Sequence, residues 1–146
     1  MVNHQLLEQF TNSDYSLWVY DRGKRIFQSK EERLAPLLDY IRAFVPKVKG
    51  VVVFDRIVGN AAALLMRKAL CTKVYSPLGS QLAAQSLSNF GIKCHFSRTV
   101  AHIMSNRGDD MCPMEKLSIG KTPEEFYEAI SQGGIMFNRQ PSDGQS

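Results

Sequence analysis

Cysteine is scarce in this sequence. Cys71, Cys94 and Cys112 are an odd number with no close pair, which argues against a disulfide framework and for a reducing, intracellular setting. Long apolar runs are missing too. The longest, Val51 to Phe54 and Ala61 to Met66, fall far short of the roughly 20 residues that cross a bilayer. The opening Met-Val-Asn-His-Gln has neither the basic start nor the apolar stretch of a signal peptide, so a cytoplasmic protein without a membrane partner is expected. G-x-G-x-x-G and G-x-x-x-x-G-K are both absent, which excludes a dinucleotide fingerprint and a Walker loop. No internal repeat or low-complexity stretch occurs. Charge of one sign is in modest excess, with 18 Lys+Arg against 14 Asp+Glu and a net charge of +4. That balance favours anionic ligands, but the basic residues are scattered and not interleaved with aromatics. A nucleic-acid partner is therefore not expected.

What is present is enough for one core. A chain of 146 residues, 44% hydrophobic and 22% charged, has the size and composition of one globular domain rather than a disordered or fibrous segment. The domain is assigned to residues 1–139, and the polar stretch from Gln140 to Ser146 is read as a disordered tail.

Leu6, Leu7 and Phe10 mark a short first helix ending near Asn12-Ser13-Asp14. Leu17 to Tyr20 and Arg25 to Phe27 are strand patterns flanking Asp21-Arg22-Gly23-Lys24, the signature of a β-hairpin. Leu34, Leu37, Leu38, Ile41, Phe44 and Val45 recur at helical spacing, with Pro36 placed in the first turn. Val51 to Phe54 is a continuous apolar strand of the kind buried on both faces of a parallel sheet. Asp55 closes it, and a largely buried helix is expected from there to about Leu70. Val74-Tyr75 forms the next strand, ended by Pro77-Leu78-Gly79. Ser80 caps a helix that stops at Gly91. Ile92, Cys94 and Phe96 alternate with polar residues as a half-exposed strand, and a helical turn is expected over Val100 to Met104. Thr122-Pro123-Glu124-Glu125 predicts a capping box at the start of the last helix, which ends at Gly133-Gly134. This order implies right-handed crossovers and helices on both sheet faces, a three-layer α/β/α sandwich with an N-terminal hairpin and a mixed sheet.

The order of elements resembles the cytidine-deaminase fold. Asp55-Arg56-Ile57-Val58-Gly59-Asn60-Ala61-Ala62-Ala63, with Asn106-Arg107 through Cys112-Pro113-Met114-Glu115, is similar to the signatures of domain-of-unknown-function family 1893, which has a cytidine-deaminase-like fold. The resemblance runs from the hairpin to the last helix. It implies a fold and a site but no substrate. Zinc deaminases carry a His or Cys followed two residues later by Glu, and then P-C-x-x-C at the next helix start. Ser29-Lys30-Glu31 and Asp55-Arg56-Ile57-Val58-Gly59 stand at those places. Glu31 matches the acid, but Ser29 is a poor ligand and both cysteines are missing, so neither zinc nor another cofactor is expected.

Asp55 reads as a helix cap, and equally as a polar group at a strand's carboxyl end, where open α/β sheets bind ligands. Gly59 in a first helical turn costs about 1 kcal/mol relative to Ala, which close packing or a ligand at the helix start would explain. Asn60 adds a carboxamide beside it. The segment Asn106 to Glu115 is polar but anchored by Met111, Cys112, Pro113 and Met114, as a loop walling a pocket would be. The ligand-binding candidates are Asp55, Gly59, Asn60, Asn106, Arg107, Cys112 and Glu115. They suit a small polar or nucleotide-like ligand at the strand ends. Cys112 and Glu115 are also the candidates for metal-free group transfer or hydrolysis, although a buried, inert thiol is the commoner state of a free cysteine. His95, His102, Cys71 and Cys94 lack metal-ligand spacing and are assigned to structure. A third alternative is an interaction module that oligomerises through a sheet edge or helix face.

Overall fold

Alternation along one strand sets the layers. In β1 (Leu17–Asp21), Leu17 and Val19 join the larger buried cluster and Trp18 and Tyr20 the smaller one, because successive strand side chains point to opposite faces. The computed structural model describes residues 2–105 and 111–132. Around β1 it places α1 (Val2–Thr11), β2 (Lys24–Ser29), α2 (Ala35–Phe44), β3 (Val51–Asp55), β4 (Ile57–Val58), α3 (Asn60–Lys68), β5 (Cys71–Ser80), α4 (Gln81–Asn89), β6 (Lys93–Val100), α5 (Pro113–Ser118) and α6 (Pro123–Gln132). These form a mixed six-stranded sheet. β1 runs antiparallel to β2 and β3, whereas β3, β4 and β6 run parallel to β5.

The helices are shared unevenly between the faces. Leu7 and Phe10 of α1 pack on Trp18, Tyr20, Phe54 and Tyr75. Residues of α2, α3, α4 and α6 pack together on the other face, against Leu17, Val19, Val51, Val53 and Val74. Among the described residues no helix is long and apolar enough to cross a membrane.

Several local expectations hold for the reasons that motivated them. Arg22 and Gly23 both take positive φ, 53° and 82°, as the two central residues of a type I′ hairpin must. The N–H of Thr122 donates to Glu125 Oε1 at 3.0 Å and the N–H of Glu125 donates to Thr122 Oγ1 at 3.1 Å, a reciprocal capping box. Ser80 Oγ accepts the Ala83 N–H at 2.9 Å. At the end of α4 the N–H of Ile92 donates to the Leu87 carbonyl and that of Gly91 to Ser88, a Schellman closure with Gly91 at φ 77°.

Three expectations need correction. The helix expected to start just after Asp55 begins only at Asn60, because Ile57-Val58 instead pairs with Leu78-Gly79 as β4. It ends at Lys68, where Leu70 turns into a left-handed conformation (φ 61°) and its carbonyl accepts the Gly50 N–H. β5 does not stop at Pro77 but runs through it. On the edge away from β6, β5 pairs with β3 up to Tyr75 and with β4 from Leu78, so the proline falls in the gap where no ladder donor is required. Residues 100–104 are not a helical turn: β6 extends to Val100, and Met104 forms an antiparallel bridge to Met111. The expected helix end at Gly133-Gly134 and the tail from Gln140 lie outside the described residues.

Candidate functional site

The start of α3 carries a charge from elsewhere in the chain. An α-helix leaves its first N–H groups without partners inside the helix, and the residue preceding α3 is Gly59, which has no side chain to cap them. The partner is Glu115, the third residue of α5, buried to 2% exposure. The N–H of Asn60 donates to Glu115 Oε2 at 2.8 Å and that of Ala61 to Oε1 at 3.3 Å. A carboxylate is favoured there both by the N–H groups and by the positive end of the helix dipole. Gly59 is glycine for the same reason: a Cβ would stand 2.4 Å from Glu115 Oε1 and 2.7 Å from Ile103 Cγ1. Of the two explanations left open for this glycine, the geometry supplies the close-packing one.

Asn60 continues the network. Its Nδ2 donates to Ser118 Oγ at 2.9 Å, its Oδ1 accepts from Ser86 Oγ, and Ser118 Oγ donates back to the Glu115 carbonyl at 2.7 Å. Asn60, Glu115 and Ser118 are buried, so the start of α3 is fixed to the middle of α4, through Ser86, and to α5, through Glu115 and its last residue Ser118, by satisfied polar groups.

Asp55 stands apart from this network. It ends β3 opposite Leu17 and is 9% exposed. Its Oδ1 accepts the Arg56 N–H at 2.8 Å. Burial pushes its carboxyl up from the ordinary 3.8 to about 7, against the opposing pull of the Arg56 N–H and charge. The Arg56 guanidinium is committed elsewhere. It donates to the carbonyls of Phe10, Thr11, Ser13 and Tyr15 and lies over the Phe10 ring, which ties the α1–β1 connection to the end of β3.

Cys112 is half-buried at the residue before α5, and its N–H donates to the Ile103 carbonyl at 3.0 Å. With the Met104–Met111 bridge, this closes the base of the 106–110 segment. Asn106 and Arg107 lie outside the described residues. Among the seven candidates, Gly59, Asn60 and Glu115 meet at one point. No hydrogen bond joins Asp55 or Cys112 to them among the described residues.

A cleft of about 300 Å³ opens beside Asn60. Its walls come from α3 (Leu64), α4 (Leu82, Ser86, Asn89, with Phe90 just beyond) and the α5–α6 connection (Ile119, Lys121, Thr122). Asn60 begins α3 after β4, and Leu82 lies in the first turn of α4 after β5, so the cleft starts at the carboxyl ends of these strands. The sequence reading missed Ser86, Asn89, Ser118, Lys121 and Thr122. The available signal was Ser86 and Asn89, three residues apart and therefore on one helical face with Leu82.

The thiols differ sharply. Cys71 is 6% exposed with its pKa pushed up by burial to about 12, whereas Cys94 is exposed and Cys112 half-buried. Burial raises the Cys94 thiol as well, so alkylation of the native protein at pH 8 should label Cys94 slowly but well before Cys71, which stays unmodified until the chain is unfolded, as read by peptide mass spectrometry. Labelling of native Cys71 at the Cys94 rate would contradict this packing. Among the described residues no group of three or more His, Cys, Asp or Glu side chains could hold a metal ion.

The class defined so far is a mixed-sheet α/β domain whose third helix starts on a carboxylate supplied by its fifth. Over residues 5–132 the chain matches the family described as "TM1506: Domain of unknown function (DUF1893)", and it belongs to that family. It is similar to the crystal structure of a DUF1893 family protein (TM1506) from Thermotoga maritima, with a TM-score of 0.79 and 28% identity, covering 88% of this chain and 87% of that one. No curated protein matches it.

Proposed function

We propose that this chain is a deaminase-like domain without the zinc chemistry, which binds one small polar, nucleotide-like ligand in the cleft beside Asn60. The observation that carries this reading is the cleft itself. At about 300 Å³ it lies at the lower end of the usual range for small-molecule sites. It also has their composition, with apolar walls (Leu64, Leu82, Phe90) and a few polar groups (Asn60, Ser86, Asn89, Thr122). The antiparallel hairpin feeding parallel strands supports the deaminase-like part. Zinc does not fit the donors present. Ser29 ends β2, residues 55–59 contain no cysteine, and the α3 N-terminus is already matched by Glu115.

Gly59 and Glu115 then act indirectly, by fixing Asn60 as the inner wall. Asp55, Asn106, Arg107 and Cys112 remain candidates for contacts nearer the strand ends. Glu115 as a metal-free base is disfavoured because both its oxygens accept from N–H groups of α3 and the residue is buried.

The test is a thermal-shift screen with ribonucleosides and their 5′-monophosphates. A ligand at about one hundred times its Kd stabilises by about 2.7 kcal/mol, a rise of roughly 5 °C or more for a domain of this size. Asn89 is exposed at the cleft wall, so Asn89→Trp should abolish the shift while leaving the unliganded melting temperature within about 2 °C. A panel without any shift, or a shift that survives Asn89→Trp, removes this reading.

A further inference from the structure

We infer that the cleft takes a ligand bearing an anionic group and that Lys121 is its counter-charge, an inference that rests on the reading of the cleft given above. Lys121 is half-buried in the cleft wall. Among the described residues its ammonium has no ion pair and no hydrogen bond. No carboxylate lines the cleft. On α6, the neighbouring Glu125 has its Oε1 committed to the Thr122 N–H. The position of Lys121 is fixed by the chain around it: its N–H donates to the Ser118 carbonyl at 3.2 Å, and Ser118 is itself bonded to Asn60. An ammonium without a counter-charge in the cleft wall leaves its donors open to an anion entering there.

The opposite wall defines the rest of the ligand. Leu64, Leu82 and Phe90 offer apolar contact, while Ser86 and Asn89 offer hydrogen bonds on the α4 side. The chemistry that fits is a flat, weakly polar body with one anionic group at one end, of about the size of a single nucleoside monophosphate. A dinucleotide is too large for about 300 Å³.

Isothermal titration with the four ribonucleosides and their 5′-monophosphates, on wild type, Lys121→Met and Lys121→Arg, tests this. A hydrogen bond between charged groups corresponds to about tenfold or more in affinity. At least one monophosphate should therefore bind wild type about tenfold more tightly than its own nucleoside. Lys121→Met should lose that ratio while keeping the nucleoside affinity, Lys121→Arg should keep most of it, and urea midpoints should show that both variants fold. Equal binding of nucleoside and monophosphate to wild type overturns the assignment of Lys121 and leaves the cleft reading standing. So does a ratio unchanged in Lys121→Met. Absence of binding by every member, or binding unaffected by Asn89→Trp, overturns the cleft reading and this inference with it.

Discussion

Replacing Asp55 by Asn should stabilise the fold at pH 8 by as much as about 4 kcal/mol and leave it nearly unchanged near pH 3. The carboxyl is buried, and its pKa is raised from the ordinary 3.8 to about 7. A raised acid pKa means that the folded state prefers the protonated form. Below the ordinary value both states are protonated and Asp55 makes no difference to stability. Between about pH 4 and 7 the unfolded chain ionises its carboxyl while the folded chain does not, so stability falls as pH rises. Above about 7 both states are ionised and the loss is complete. About 3 pH units at roughly 1.4 kcal/mol each gives the upper figure. Asn keeps an oxygen to accept the Arg56 N–H that Asp55 holds at 2.8 Å and removes the ionisation. Urea denaturation at a series of pH values, wild type against Asp55→Asn, should show the two curves diverging between pH 4 and 7. Parallel curves would mean that Asp55 is hydrated or paired in solution. A buried acid that weakens the fold at neutral pH is the pattern that marks functional sites, which is why Asp55 stays among the candidates although the Asn60 network does not include it.

Local rules carried much of the fold. The hairpin was legible because two strand-forming runs flank a loop containing Gly23, which suits positive φ, α2 because its apolar positions recur at helical spacing, and the α6 start because Thr122 and Glu125 can satisfy each other's N–H groups. Each of these depends on residues within one or two turns. The misreadings share one cause, competition between a local pattern and a distant partner. Ile57-Val58 is apolar enough to continue into the helix of alanines and leucines, yet β5 offers it a ladder at Leu78-Gly79, and two paired strand residues prevail over two helical ones. Pro77 reads as a strand end unless one knows that β5 changes partners at that point.

The site followed the same division. Gly59, Asn60 and Glu115 stood out by residue type and by family resemblance, but their mutual contact spans 55 residues of chain and no periodicity encodes it. The cleft was invisible because three separate segments build it. The uneven layering has the same origin: which face receives α2, α3, α4 and α6 depends on connections, not on any one helix's pattern. Among the described residues, α1 is the helix that faces the aromatic side, because Leu7 and Phe10 match Trp18, Phe54 and Tyr75.

The contact between Gly59 and Glu115 yields the other large effect. Glu115→Ala removes a buried carboxylate and leaves the Asn60 and Ala61 N–H groups without their acceptor. Each lost charge-assisted bond is worth about 1.5–3 kcal/mol, so the loss of two should destabilise the variant by about 3–6 kcal/mol. Gly59→Ala introduces a Cβ at 2.4 Å from Glu115 Oε1 and 2.7 Å from Ile103 Cγ1. Because both oxygens of the carboxylate are held by N–H groups of α3 it cannot retreat freely, and overpacking of this kind costs about 1–3 kcal/mol. The two costs are not independent. Once the carboxylate is gone, two of the three closest contacts of the new methyl group are gone with it, which leaves the one to Ile103 Cγ1. The double variant should therefore be at least about 1 kcal/mol more stable than the sum of the single effects predicts, a coupling between residues in contact. Gly59→Ala alone should also weaken the proposed ligand binding, because displacing Glu115 displaces Asn60, whose N–H the carboxylate accepts at 2.8 Å. Strictly additive urea midpoints would show that the carboxylate does not occupy the space above Gly59. Unchanged stability in Glu115→Ala would show that water caps α3 equally well and that Asn60 is positioned by Ser86 and Ser118 alone.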